Sequence, residues 1–327
     1  LDSSVTTAYI KNIDPSVLNT FSIGFTDKTY DETAYQLEAA KFFGTNHTAF
    51  SCTSEELAAN FAETIWHTEF PILRTSPTPM FLLSKKVRES NIKVVITGEG
   101  ADEFLGGYNI FKEAKIRRFW ANEPNSTARP KLLTKLYPYI PNLKDSPDLA
   151  LKMFFGYQLN ETKDPLYSHL LRWHNTSRIK SFFSDDYSDS LNGNNPINEI
   201  YNNLPESFET WSGLSKSQFL EANIFMSGYL LSSQGDRMAM GNSVEGRYPF
   251  LDYRVIEFCN KMPDHYKLNC LNEKFILKKL SQGKIPDSIT SRPKQAYRAP
   301  ITSLFLQKSN NNLMDMLSDE SINLFGI

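Results

Sequence analysis

The chain has 327 residues with 40% apolar and 22% charged, and 35 Lys plus Arg against 37 Asp plus Glu give it a net charge of −2. That composition is ordinary for a globular protein of one large domain or two ordinary ones, able to bury a substantial core without disulfides or a structural metal. The balance of charge removes any overall electrostatic case for nucleic acid or an anionic membrane as partner, and no run approaches the ~20 apolar residues of a membrane span.

Residues 3–12 carry Val5, Ala8 and Tyr9 at helical spacing after a Ser/Asp-rich start, which predicts a helix N-terminus. Thr20–Phe25 reads as a short buried strand. From Tyr30 the acidic start at Asp31 and Glu32 and the helical period predict a helix to Phe43, stopped by Gly44. His47–Phe50 reads as a strand, Ser54 to about Thr68 as a helix, and Pro79–Ser90 as a helix. Ile92–Thr97 is a strand rich in β-branched residues, followed by Gly98-Glu99-Gly100. Strands alternating with helices at this spacing predict an α/β fold with a parallel sheet. The opening helix needs a strand before it, and the chain as given has none.

From about residue 104 the character changes to aromatics, prolines and helical patches without a strong strand. Lys112, Lys115, Arg117 and Arg118 read as a solvated helix face. Residues 184–195 are polar and turn-like, an expected exposed loop, and 208–285 read as mostly helical. The expected organisation is a nucleotide-binding α/β core over 1–110, a mainly helical insertion over 111–205, and a helical part over 206–327. The chain opens at Leu1-Asp2-Ser3-Ser4 without Met and closes at Phe325-Gly326-Ile327, just after an apparent helix start at Ser318, so a fragment of a longer protein is expected. Cys52, Cys259 and Cys270 form no CxxC pair and lack zinc-spaced histidines. They read as free thiols in a reducing compartment; with no signal peptide, the cytoplasm is the default.

Ligands of an open parallel sheet bind outside the carboxyl ends of its strands. Two segments fall at that edge. Leu1-Asp2-Ser3-Ser4 puts two hydroxyls and free N–H groups at a helix N-terminus, a phosphate site or simply a cap. Asp2 would repel phosphate unless a cation such as Mg²⁺ lies between. Thr97-Gly98-Glu99-Gly100-Ala101-Asp102-Glu103 crowds three carboxylates at a strand end, which is costly unless they meet a metal or a cationic partner. The bland alternative is a tight turn with exposed acids.

Residues 94–108, VVITGEGADEFLGGY, resemble the GEG(S/A)DE(L/V)FGGY signature of the synthetase domain of glutamine-dependent asparagine synthetases. Leu1–Ser4 is similar to the end of that family's pyrophosphate loop, SGGLDSS. SVEGRYPFLD, residues 243–252, is similar to its (G/S)VExRxPFLD segment, and Pro77-Thr78-Pro79-Met80 to its STPMY or PTPMF helix start. The four motifs occur in the family's order. The resemblance implies a sheet of the adenine-nucleotide hydrolase type and ATP and Mg²⁺ as cofactors. It implies that Asp2 and Asp102 hold the metal, that Ser3 and Ser4 grip the pyrophosphate, and that Ile23, Thr97 and Gly98 contact the nucleotide. Glu99 matches a glutamate linked to adenylate formation. Lys274 resembles a lysine near the reacting phosphate, and Arg292 and Lys294 resemble a basic segment approaching the site. Glu99 or Glu245 would accept the proton lost by ammonia, although Glu245 could simply pair with Arg247. Arg74 could bind the substrate carboxylate, but Arg74-Thr-Ser-Pro-Thr-Pro has one residue more than the family's RASTPM. His67 and His174 read as structural, and Gly106 and Gly107 as turn glycines.

The implied reaction adenylates aspartate with release of pyrophosphate and then forms asparagine with ammonia, derived from glutamine in a full-length protein. Its implied partners are these small molecules and an N-terminal glutaminase domain; a homodimer is admitted. The SGG of the loop and the glutaminase domain are absent from the chain as given. The alternative is a related amidotransferase or cyclase acting on another carboxylate, since Arg292–Pro300 resembles the less characterised relatives. A non-catalytic nucleotide-binding module is the third reading. A tRNA-modifying relative is disfavoured by the acidic balance.

Overall fold

The computed structural model describes residues 1–138, 140, 146–191, 193–300, 315 and 318–324; the closing Phe325–Ile327 lies outside them. Two compact units emerge, one of Leu1–Gly107 with Glu221–Asn310, the other of Tyr108–Leu220 with Asn311–Ile327.

The first unit begins with helix α1, Asp2–Ile13, which carries Asp2 in its first turn and Lys11 in its last, each sign matching the helix dipole. Strand β1, Asn19–Phe25, helix α2, Thr33–Phe43, and strand β2, Asn46–Cys52, follow. α2 stops where Gly44 takes a left-handed φ of 60°, a conformation that favours glycine. β1 and β2 pair in parallel from Asn19 opposite Asn46 to Phe25 opposite Cys52. Helix α3, Ser54–Thr68, starts with a capping box in which the Thr53 side chain and Glu56 satisfy each other's backbone N–H groups. Helix α4, Pro77–Glu89, starts on a proline, whose missing N–H costs nothing in a first turn. Strand β3, Val94–Ile96, leads into the short helix α5, Ala101–Phe104.

The fold is therefore α/β with parallel strands and a large helical share, as the alternation predicts. Within the mostly helical residues 208–285, Glu245–Arg247 forms strand β4, parallel to β3 with Val94 opposite Glu245 and Ile96 opposite Arg247. Three residues of Glu-Gly-Arg carry no alternation, and only pairing with β3 makes them a strand. Glu221–Asp236 winds as a π-helix. A core of Val5, Ala8, Phe104, Leu105, Leu277 and Ile289 ties α1 and α5 to the helices Phe275–Ser281 and Asp287–Ser291. No helix among the described residues is long and apolar enough to cross a membrane.

The second unit corrects two expectations. The basic stretch on helix α6, Asn109–Ala121, is not a solvated face, because Lys112 and Arg117 are buried. The Arg117 guanidinium donates to the carbonyls of Phe155 at 2.9 Å, Tyr157 at 2.5 Å and Tyr167 at 3.4 Å, and lies 4.5 Å from the Tyr167 ring centre. Those carbonyls lie at the end of one helix, Asp148–Phe155, and the start of the next, Tyr167–Ser177. Residues 185–190 are exposed but not a loop, since Asp185–Ser190 is a helix capped by the Ser184 hydroxyl with two acids in its first turn. Arg117→Met keeps the bulk but removes these buried hydrogen bonds; we expect it to lower stability by about 3 kcal/mol, read as a lower denaturation midpoint.

Candidate functional site

The site forms where β3 ends. The Thr97 N–H donates to the Arg247 carbonyl at 2.9 Å, extending the β3–β4 pairing by one residue. Gly98 then passes so close to α1 that a Cβ there would lie 2.7 Å from both Asp2 Cβ and Ser3 N. Gly100 turns the chain at φ 93° and caps α5, which places Asp102 in the interior at 8% exposure. The α1 N-terminus and the α5 start are thereby brought together.

Two lysines meet the carboxylates gathered there. Lys274, 3% exposed, lies with its Nζ 2.5 Å from Asp2 Oδ2 and 2.7 Å from Asp102 Oδ1. It holds a left-handed backbone at φ 49°, unusual for a residue with a side chain and of the kind kept at functional sites. Lys294 donates to Asp102 Oδ2 at 2.7 Å, and its backbone N–H donates to Glu273 Oε1 at 2.8 Å. Arg292, two residues before, pairs with Glu32, donates to Gln295 Oε1 at 3.0 Å and stacks 4.3 Å from the Tyr35 ring centre. The segment carrying Lys294 is pinned again where the Thr75 hydroxyl donates to the Pro300 carbonyl at 3.1 Å.

The electrostatics follow from this packing. Burial alone would push the Asp102 carboxyl up, but Lys274 and Lys294 outweigh it and hold Asp102 well below the usual carboxylate range. Burial would lower the Lys294 ammonium, yet Asp102 and Asp2 raise it. Among the described residues Glu99 has no such partner in contact. Burial pushes its carboxyl up, Lys294 pulls it down, and the charges of Asp102 and Asp2 push it up again, with a net rise. A carboxyl displaced toward neutrality beside a lysine-clamped pair suits proton exchange.

Asp2 Oδ1 is buried without a hydrogen-bond partner among the described residues. A Cβ on Gly107 would run into Asp102 Oδ1 and Lys274 Cε, so Gly107 also keeps room beside the carboxylate. No group of three or more His, Cys, Asp and Glu that could hold a metal occurs among the described residues. Two carboxylates with a spare oxygen fit Mg²⁺, which commonly takes one or two carboxylates and completes its shell with water and substrate phosphates.

Asp2, Asp102, Lys274 and Glu99 thus gather in one place. Ser3 and Ser4 line the adjoining cavity together with Thr97 and Glu99. Ile23 is buried in β1, its carbonyl accepting from Gln36 Nε2 at 2.9 Å. Glu245 stands apart: it is exposed on β4, with Oε1 2.7 Å from Arg247 Nε. Arg74 lies 5.7 Å from the Phe225 ring centre. His67 stacks on Phe81 and His174 on Tyr157. Sequence reasoning placed Lys294 only in an approaching segment, not on Asp102, and passed over Tyr248. The Tyr248 hydroxyl donates to Asp236 Oδ1 at 2.5 Å, and the side chain lines the same cavity as Glu99. Nothing in the SVEGRYPFLD run marks that tyrosine out.

The asparagine synthase family model matches residues 1–327, and the chain belongs to that family. It is 26% identical over 329 residues to asparagine synthetase (glutamine-hydrolyzing) 1 of Bacillus subtilis (strain 168), covering 99% of this chain and 49% of that protein. It is 29% identical over 318 residues to the amidase chyE of Penicillium rubens, covering 88% of this chain and 44% of the relative. A nodule asparagine synthetase (glutamine-hydrolyzing) of Pisum sativum is 41% identical over 88 residues, 26% of this chain and 15% of the relative. The chain spans about half the length of the relatives it matches along most of its length.

The clamp predicts a signature in acid. A carboxyl held low when folded stabilises fully above its ordinary value of 3.8, and that contribution is lost as pH falls toward the folded value. Asp102→Asn removes the contribution and leaves two buried ammoniums short of a counter-charge. Near neutral pH we expect a loss of about 3 kcal/mol, and between about pH 5 and 2 a flatter fall of stability than in the parent. Denaturant titration across pH reads both.

Proposed function

We propose that this chain is the synthetase part of an ATP-dependent amide-forming enzyme that adenylates aspartate and passes it to ammonia to give asparagine. The observation that carries the reading is the joining of Asp2, Asp102, Lys274 and Lys294 at the end of β3, beside the N-terminus of α1. A trianionic pyrophosphate leaving group needs that concentration of cationic charge and free N–H groups. The accompanying fold reading is a sheet of the adenine-nucleotide hydrolase type, with Ile23, Thr97 and Gly98 along the nucleotide.

In this reading Asp2 and Asp102 hold Mg²⁺, which when bound neutralises charge on the pyrophosphate. Ser3, Ser4 and the first N–H groups of α1 grip the pyrophosphate. Lys274 and Lys294 turn from the carboxylates toward the phosphates, and stabilise charge as the substrate carboxylate attacks the α-phosphorus. Catalysis is then mostly alignment and charge neutralisation. Ammonia attacks the acyl adenylate and must lose a proton. Glu99, raised and close to the clamp, accepts it; Glu245, opposite the start of β3 and paired with Arg247, is the less suited of the two carboxylates. Nitrogen comes from glutamine through a glutaminase domain of the full polypeptide, in a cytoplasmic enzyme.

A second reading keeps the adenylation and changes the carboxylate. The likeness to proteins named amidases favours it. Turnover separates the two. With Mg-ATP and ammonia, the full polypeptide carrying this chain should release AMP and pyrophosphate only when aspartate is present, one asparagine for each. Glu99→Gln should lower that rate by about 100-fold or more without lowering the melting temperature. Nucleotide release indifferent to aspartate would remove aspartate as substrate; unchanged turnover in the variant would remove Glu99 as proton acceptor.

A further inference from the structure

A carboxylate that accepts a proton in each turnover must also give it up, and burial holds the proton on Glu99. Glu99 shares its cavity with Tyr248, the residue after β4. Along a strand, successive side chains alternate between its two faces. Gly246 and Tyr248 line the cavity. Glu245 and Arg247 are exposed and pair with each other at 2.7 Å.

The Tyr248 phenol is fixed at its oxygen. A Cβ on Gly246 would lie 2.2 Å from that oxygen, so any other residue there would displace the ring. Gly235 borders the same oxygen from the π-helix, with the place of its missing Cβ 3.7 Å away. The hydroxyl donates to Asp236 Oδ1 at 2.5 Å, the length of a charge-assisted bond to a carboxylate. Asp236 ends the π-helix Glu221–Asp236 and is exposed. One hydrogen bond thus joins the wall of the Glu99 cavity to solvent.

The neighbouring charges leave that bond intact. Arg237, next to Asp236, donates to the Thr68 carbonyl and lies 3.8 Å from Glu69. Burial, then Asp236, then the charge of Glu99 hold the phenol well above the usual tyrosine range. A phenol that keeps its own proton can still pass one on, by accepting at its oxygen while donating to Asp236.

We propose, on the reading above, that Tyr248 and Asp236 form the outlet by which the proton taken up by Glu99 reaches solvent. The Glu99 O–H bond breaks as its proton enters the cavity water. A proton from that water binds the phenol oxygen, and the phenol's own proton passes to Asp236 Oδ1. Glu99 is left a carboxylate, the phenol is left neutral, and Asp236 becomes a carboxylic acid that bulk water deprotonates. In that reading the proton is lost only when ammonia attacks, so the pair serves the second half of the reaction and not adenylation.

The two halves can be timed separately in the full polypeptide carrying this chain, with Mg-ATP and aspartate. Without ammonia, Tyr248→Phe should release its first pyrophosphate at the parent's rate. With ammonia it should form asparagine about 10-fold or more slower than the parent. Imidazole, a small base able to carry the proton, should restore most of that loss. Asp236→Asn, which still accepts the hydrogen bond but cannot hold the proton, should behave in the same way. Unchanged asparagine formation in either variant would overturn the proposal. A first pyrophosphate slowed as much as asparagine, or a loss that imidazole leaves untouched, would overturn it in favour of a structural role. A parent that releases no pyrophosphate with aspartate would remove the reading above, and the outlet with it.

Discussion

Two carboxylates cannot be carried into one interior corner of a protein without a cation between them. Asp2 sits in the first turn of α1 and Asp102 in α5, and Lys274 reaches both. The energetic weight of this contact comes from the burial of Asp102 and Lys274. Desolvating either alone would cost several kcal/mol, and the cluster offsets that cost only if each charge finds its partner. Lys294 supplies the second ammonium to Asp102, and its segment is fastened at Glu273 and, through Pro300, at Thr75. The strained backbone at Lys274 is a further cost borne at the same spot.

The surrounding structure delivers these groups rather than acting on a substrate itself. Gly98 and Gly107 leave room where α1, Asp102 and the lysine close in, and Gly100 leaves room for Leu251. The shared core of Val5, Ala8, Phe104, Leu105, Leu277 and Ile289 fixes α1, α5 and the helix after Lys274 to one another. The ends that bear Asp2, Asp102 and Lys274 are thus held on one packed core. Glu99 is displaced toward neutrality because it shares the desolvation of the site but not its direct ion pairs.

Much of this was legible in the chain. Helical period with a start at Ser54 and a stop at Gly44, and β-branched residues before Gly98, are local signals, and the observed elements lie within a few residues of them. Crowded acids at a strand end demanded a cation, and the family resemblance supplied candidates for it. What local pattern could not carry was contact across the chain. Lys294 meets Asp102 over 192 residues, and a lysine in Ser-Arg-Pro-Lys-Gln announces no partner. β4 exists only because β3 offers it an edge. Arg117 looked like solvated charge because sequence does not reveal that three carbonyls converge on it.

The central claim is that the Asp2–Asp102 pair, neutralised here by two lysines, is a site for a metal-bound pyrophosphate. Calorimetric titration of pyrophosphate into the full polypeptide carrying this chain, with and without Mg²⁺, tests it most directly. The account predicts binding that requires Mg²⁺ and is lost when Asp2 is replaced by asparagine. Binding that ignores Mg²⁺, or that survives in Asp2→Asn with the same affinity, would contradict it.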